Sequence, residues 1–160
     1  MNSRIKFVLI VLISVLLDQL TKYIVVANIP LYTSVKIIPG LFDFTYLHNP
    51  GGAFGILADQ PDTVRIFVFI GLAAVAACLV LWFYKTTPKN FKWLRTAYVI
   101  IFAGAAGNLI DRIRLGYVID FLDFYIKDMH WPAFNVADSL ITIGMAIIVY
   151  HVIFNKIPDN

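Results

Sequence analysis

Residues 6–27 read KFVLIVLISVLLDQLTKYIVVA. The run is long enough to cross hydrocarbon, since a transmembrane helix takes about 20 mostly apolar residues. Yet it carries Asp18 and Lys22, four positions apart. That spacing puts both side chains on one helix face, one turn apart. Charges inside a span are costly, so they pair or mark a working site. Helix rise places Asp18 roughly 18 Å from the inner end, just past the midplane, with Lys22 further out. A cleaved signal peptide is the competing reading, because Arg4 and Lys6 precede an apolar core. DQLTK follows that core with no small-x-small cleavage site, and more apolar residues come after it, so a retained span is preferred.

The rest of the chain agrees with lipid as the solvent. Of the 160 residues, 60% are hydrophobic and 14% charged, and mean hydropathy is +0.79. Soluble domains average about 25% charged. Three further stretches have the length and character of spans: about 64–84, 94–112 and 136–154. The expected fold is therefore a single integral membrane domain over 1–160, mainly α, with four transmembrane helices. The net charge of +3 belongs with cytoplasmic loops and lipid headgroups. No basic run interleaved with aromatics marks a nucleic-acid surface. The single cysteine, Cys78, lies in an apolar run without a base or cation beside it, and reads as a small packing residue.

Lysine and arginine in short loops set orientation. Arg4 and Lys6 lie before the first span, Lys85, Lys89, Lys92 and Arg95 between the second and third, and Lys156 after the fourth. These segments share one side, so both termini are expected in the cytoplasm. The external segments are then about 28–63 and 113–135. Around Phe42, Phe44 and Tyr46 the first of them alternates with period two, and PG at 39–40 and NPGG at 49–52 are turn signals. A small antiparallel sheet on the outer leaflet is expected there.

Polar residues gather at that outer level. Asn108, Asp111 and Arg112 close the third span, while Asp138 sits in the first turn of the fourth with Asn135 placed to cap it. Asn49 and Asp120 lie in the external segments nearby, and Asp123 and Asp128 read as solvated loop or interface charges. Two carboxylates in a poorly solvated site cannot both ionise cheaply, so one keeps its proton and the pair becomes an acid and a base. Such a pair activates water without a metal. The bland reading makes Asp18–Lys22 and Asp111–Arg112 simple stabilising pairs, with Asp138 a first-turn acid favoured by the helix dipole. Spacing alone does not choose between these readings. The small residues AGAAG (103–107) read as a tight helix contact.

Other chemistries fit poorly. His48, His130 and His151 are far apart, with no HExxH. There is no GxSxG elbow and no Gly-rich phosphate loop. GNLID does not match the GxGD of presenilin-type proteases.

Five motifs, DQLTK (18–22), HNPGGAFG (48–55), AGAAGNLIDR (103–112), GYVIDFLDF (116–124) and FNVADSLITIG (134–144), occur in an order that resembles one family closely. It is the bacterial lipoprotein signal peptidases, also called prolipoprotein signal peptidase or signal peptidase II. The resemblance covers nearly the whole chain. It implies an aspartic endopeptidase of the cytoplasmic membrane with no cofactor or metal. The implied substrate is a prolipoprotein already carrying diacylglycerol on its lipobox cysteine, cut just before that residue near the outer leaflet. Membrane lipid is then its surroundings, a globomycin-type cyclic peptide its inhibitor, and a monomer its expected state. The family's catalytic pair maps to Asp120 and Asp138, and it is this match that prefers Asp120 over Asp123. Its supporting positions map to Asp18, Lys22, Asn49, Gly51, Gly104, Asn108, Asp111, Arg112, Asn135 and Ala137. Gly52 stands where the family more often has Ala.

Two rival readings come from other classes. A small proton-coupled transporter would use Asp18, Asp111 and Asp138, but such sites lie near the midplane among repeats and broken helices. A membrane scaffold would use the acids only for helix packing.

Overall fold

Asn2 starts the first helix, its side chain accepting from the Arg4 backbone N at 3.1 Å. One orphan donor of the first turn is satisfied in this way. From there α1 runs Ser3–Asn28. Its buried residues are Ser14, Asp18, Lys22 and Val25, at helical spacing along one stripe. Outward it presents large apolar groups: Leu16 is 66% exposed, whereas Lys22 is 2% exposed. A helix that turns leucine out and lysine in is built for lipid on its outer face.

The computed structural model describes residues 2–51, 59–154 and 156 of the chain. Expectations that fall on residues 52–58, including Gly52 and the last part of the HNPGGAFG motif (52–55), lie outside the described residues. Three more helices follow: α2 (Asp62–Thr86), α3 (Lys92–Leu115) and α4 (Val136–Ile153). All four are long and apolar enough to cross a membrane. α3 packs against each of the other three. Half of its most apolar window is buried, against none of that of α2. Cys78, expected as a packing residue, is instead exposed on α2. That helix touches the bundle mainly through α3, with Tyr84 also meeting Ser3 and Phe7 of α1, and leaves most of its surface to lipid.

Without a hydrophobic driving force inside lipid, helices associate by close packing and polar contacts. Two glycines of α3 make both possible. A Cβ on Gly104 would collide with the Ala137 carbonyl oxygen of α4, and one on Gly107 would lie 2.7 Å from Asp18 Oδ2 of α1. The tight contact read from AGAAG is thus also what lets a carboxylate approach the α3 backbone.

Outside the bundle lies a four-stranded antiparallel sheet in the order β1-β2-β3-β4. β1 (Ser34–Ile38) and β2 (Phe42–Asn49) form a hairpin. Gly40, with φ of 81°, supplies the turn, a conformation that favours glycine. β3 (Val118–Ile126) and the short β4 (Met129–His130) complete the sheet. The sequence placed strands in 28–63 only; segment 113–135 in fact contributes half of them. Four consecutive residues of β3, from Val118 to Phe121, are buried. Burial on both faces removes the period-two pattern by which strands are read. Val25 and Ile29 at the end of α1 pack with Tyr46, Ile119 and Phe121. In this cluster, nearer water, each fully buried large side chain contributes about 1.5–3 kcal/mol.

α3 stops at Gly116, left-handed at φ 81°, whose N–H donates to the Arg112 carbonyl. The chain turns directly into β3, so Asp120 emerges a few residues past the helix end. Before α4, Phe134 pairs in backbone register with Leu122 of β3. That bridge brings Asn135 beside Asp120 just as α4 begins.

Candidate active site

Asn135 caps α4. Its Oδ1 accepts from Asp138 N at 3.0 Å, and its own backbone N donates to Asp138 Oδ2 at 3.3 Å. This reciprocal capping box matches the expected role of Asn135. It also holds the Asp138 carboxylate against the helix start. The amide end of the same side chain reaches β3: Asn135 Nδ2 donates to Asp120 Oδ1 at 2.7 Å, with the Ile119 carbonyl and Asn108 Oδ1 each at 3.2 Å. Asn135 is fully buried. One residue thus contacts both carboxylates, Asp120 through its side chain and Asp138 through its backbone.

The second oxygen of Asp120 accepts from Asn49 Nδ2 at 2.8 Å. Asn49 closes β2, two steps from the Leu47 that pairs with Asp120, and its Oδ1 accepts from Gly51 N at 3.1 Å. The second oxygen contact of Asp138 is Asn108 Nδ2 at 2.7 Å. Asp120 is 3% exposed. Burial pushes its carboxyl up to about 7, Asp138 adds to the rise, and Asn49, Asn135 and Lys22 pull the other way.

Beneath the pair lies an ion cluster. Lys22 Nζ contacts Asp18 Oδ2 at 2.9 Å, Asp111 Oδ2 at 2.8 Å and Asn108 Oδ1 at 3.0 Å. An ammonium has three hydrogens, so all are used. The Asp18–Lys22 pair of the bland reading is present, whereas the Asp111–Arg112 pair is not. Asp111 turns to Lys22 and to Gln19 Nε2 at 2.9 Å. Arg112 instead donates to the Gly51 carbonyl at 3.3 Å and sits 4.4 Å from the Phe69 ring centroid. Its Nε is buried without a partner among the described residues. Asp18 Oδ1 accepts from Ala137 N at 2.9 Å. Gly104 and Ala137 serve by being small, through the close contact of α3 with α4.

Asp120 and Asp138 line one cavity of about 620 Å³, together with Asn49, Asn108 and Arg112. The remainder of its wall is largely apolar: Val118, Trp131, Pro132, Phe134, Ile141 and Ile143. Carboxylates at the end of an oily groove suit a reaction on a polar bond within an apolar substrate. Among the described residues, no group of three or more His, Cys, Asp or Glu is arranged to hold a metal ion.

Asp123 departs from one part of its expectation, the loop placement. It lies on β3, opposite Asp43, rather than in a loop. Its carboxylate contacts His130 Nδ1 at 2.9 Å and does not line the cavity. Strand alternation separates it from Asp120, since residues three apart point to opposite faces. Sequence reasoning did not single out Gln19, which touches Asp18, Asp111 and the Gly107 carbonyl. A polar side chain inside a span was the available signal. It also missed the apolar cavity wall of Trp131, Pro132 and Phe134, which looks like ordinary loop in the sequence.

Known proteins resemble this chain throughout. The sequence model of the family described as signal peptidase (SPase) II matches residues 10–154. The lipoprotein signal peptidase of Desulforapulum autotrophicum is 50% identical over 161 aligned positions, covering 99% of each chain. That of Alteromonas mediterranea is 43% identical, covering 92% of this chain and 80% of its own. A solved structure described as a bacterial membrane enzyme obtained by the in meso method superposes with a TM-score of 0.84 at 31% identity, covering 94% of this chain and 89% of the other. A second of the same description gives 0.81 at 32% identity, covering 92% of each. The site residues, the four apolar helices and the sheet thus all fall within one matched span, and the chain belongs to the signal peptidase II family.

Proposed function

We propose that this protein is a membrane peptidase that removes signal peptides from prolipoproteins, with Asp120 and Asp138 as its catalytic pair. The substrate is a prolipoprotein bearing diacylglycerol on its lipobox cysteine, and the cut falls just before that residue. The observation that carries the reading is the shared cavity of Asp120 and Asp138, with Asn135 in contact with both. Family membership supports the peptidase class and the prolipoprotein substrate.

In this mechanism Asp120 holds the proton near neutrality and Asp138 is the base. A water between them gives a proton to Asp138 as its oxygen attacks the scissile carbonyl carbon. Asp120 donates its proton to the carbonyl oxygen, giving a neutral gem-diol. The intermediate collapses as Asp138 returns its proton to the leaving nitrogen and Asp120 recovers its own from the diol. Asn108, Asn135 and Asn49 hold the carboxylates in place throughout. Their donors are already aimed, so little reorganisation is needed during reaction. The apolar cavity wall takes the signal segment beside the lipidated residue. A globomycin-type cyclic peptide is expected to occupy the same cavity.

The loop charges favour termini in the cytoplasm and the cavity at the outer leaflet of the cytoplasmic membrane. The test is a gel-shift cleavage assay on diacylglyceryl-modified prolipoprotein, in detergent, with EDTA present. Asp120→Asn and Asp138→Asn are expected to fold and be inert, and Asp123→Asn to cut. Activity in Asp120→Asn, or its loss with EDTA, overturns the mechanism.

A further inference from the structure

A second cavity, of about 470 Å³, lies at the opposite end of the bundle. Its walls come from the start of α1, the end of α2 with the loop after it, and the first turns of α3. Ser3, in that wall, and Asp18, in the ion cluster, are 15 residues apart on α1, which is about 22 Å of helix. The two cavities are therefore separate sites.

Lys6, Lys89, Lys92 and Arg95 line this cavity, and among the described residues no acidic one does. Arg95 is committed to the fold. Its Nη1 donates to the carbonyls of Tyr84 and Thr87, both at 2.6 Å, and its Nη2 to Ser3 Oγ at 3.3 Å. It braces three segments and so fixes the wall. The three lysines are different. All are exposed, and among the described residues none has an ion pair or a side-chain hydrogen bond. Three unpaired cations from separate segments repel one another, and an anion among them relieves that repulsion.

Depth and shape say which anion. Trp93, beside Lys92, is 72% exposed, and exposed tryptophans at span ends sit at headgroup level. The cavity floor is apolar, with Phe7, Ile10 and Val99. A cationic rim above an apolar floor at that depth matches a phosphate joined to acyl chains. The basic end of a signal peptide is repelled from it.

We propose that this cavity is a binding site for an anionic glycerophospholipid, with the phosphate among Lys6, Lys89 and Lys92 and the chains leaving along Phe7, Ile10 and Val99. The proposal stands apart from the peptidase mechanism. It differs from the general attraction of basic loops to anionic lipid in requiring the cavity lysines rather than their neighbours.

Native mass spectrometry of the full chain, released from detergent micelles doped with phosphatidylglycerol, cardiolipin or phosphatidylcholine, reads the retained lipid directly. Wild type is expected to keep one anionic lipid and no phosphatidylcholine. Lys89→Gln with Lys92→Gln is expected to weaken retention by about 25-fold, at roughly fivefold for each lysine near a headgroup. Lys85→Gln, at the same end but outside the cavity wall, is the control and is expected to retain as wild type does. Equal loss in Lys85→Gln overturns the site in favour of a diffuse basic surface. Displacement of the lipid by millimolar inorganic phosphate overturns the lipid assignment in favour of a free anion. Equal retention of phosphatidylcholine by wild type overturns the proposal by itself, without any variant having to fold.

Discussion

Lys22 donates to Asn108 Oδ1 at 3.0 Å, and this contact decides which way the Asn108 amide faces. With its oxygen on the ammonium, the amide must present its nitrogen elsewhere, and Nδ2 meets Asp138 at 2.7 Å. The same cluster grips both carboxylate-bearing segments through their backbones. Asp18 accepts from Ala137 N, one residue before Asp138, and Asp111 accepts from Ile119 N, one residue before Asp120. A buried lysine on α1 thereby aligns a strand and a helix that are distant from it in sequence.

Lys22→Met should therefore damage both fold and rate. It leaves Asp18 and Asp111 buried beside each other without their cation. Breaking a buried ion pair by removing one partner costs about 3–5 kcal/mol. Turnover should fall further than the fraction folded, because the Asn108 amide is free to flip away from Asp138. Thermal unfolding in detergent, with cleavage measured well below the transition, separates the two effects. Melting like wild type would mean that the cluster holds nothing together.

Asn135 does two jobs that substitution can divide. Asn135→Ala removes the α4 cap, worth about 1 kcal/mol, and also the donor to Asp120. Serine caps helices nearly as well as asparagine but cannot reach Asp120 from the cap position. Asn135→Ser is expected to recover most of the stability lost in Asn135→Ala while turnover stays about 100-fold down, the scale of a misplaced reacting group. Wild-type turnover in Asn135→Ser would show that the Asn135–Asp120 contact is dispensable.

The pH dependence has a definite sign. Burial moves the Asp120 carboxyl from an ordinary 3.8 up to about 7. Between those values the folded chain holds a proton that the unfolded chain has released. Stability from this group therefore falls as pH rises through about 4 to 7, then levels off. Cleavage should fall on the alkaline side with an apparent midpoint near 7, a property of the coupled pair. Melting at about pH 5 and about pH 8 tests the first part, and Asp120→Asn should remove its share of the difference. A wild-type melting temperature that does not fall across this range would contradict a protonated Asp120.

What the sequence disclosed follows from which forces are local. Span character is a sum over a window, so Leu16 and its neighbours reveal lipid without any tertiary knowledge. The Asp18–Lys22 pair and the Asn135 cap are set by helical spacing of three or four residues, and both stand as read. Asp111 gave the wrong partner, because adjacent Arg112 points to another face of α3 while Lys22 approaches from α1. β3 was hidden because burial on both faces erased its alternation. Asp120 and Asp123 look equivalent in VIDFLD, and only strand pairing tells them apart: β3 against β2 puts Asp120 beside Asn49, and β3 against β4 puts Asp123 beside His130. Long-range contacts of this kind leave no periodic trace in a single sequence.

Gly107 tests whether close helix approach serves the site or only the packing. An added Cβ would stand 2.7 Å from Asp18 Oδ2, 3.2 Å from Asp18 Cγ and 3.3 Å from the Ala137 Cβ. The carboxylate cannot swing aside freely, because Lys22 and the Ala137 N–H hold its two oxygens. Gly107→Ala should therefore push α1 from α3 and cost about 1–3 kcal/mol, as overpacking does. Any shift of Asp18 is passed to Ala137 and so to the first turn of α4, where Asp138 sits. Gly71, on the exposed helix α2, has nothing within 4 Å of an added Cβ, and Gly71→Ala should gain helix propensity without loss of cleavage. Unfolding and cleavage of the two variants side by side decide the matter. Lowered stability with full turnover per folded molecule in Gly107→Ala would confine this glycine to packing, and loss of both would tie the helix contact to the geometry of the carboxylates.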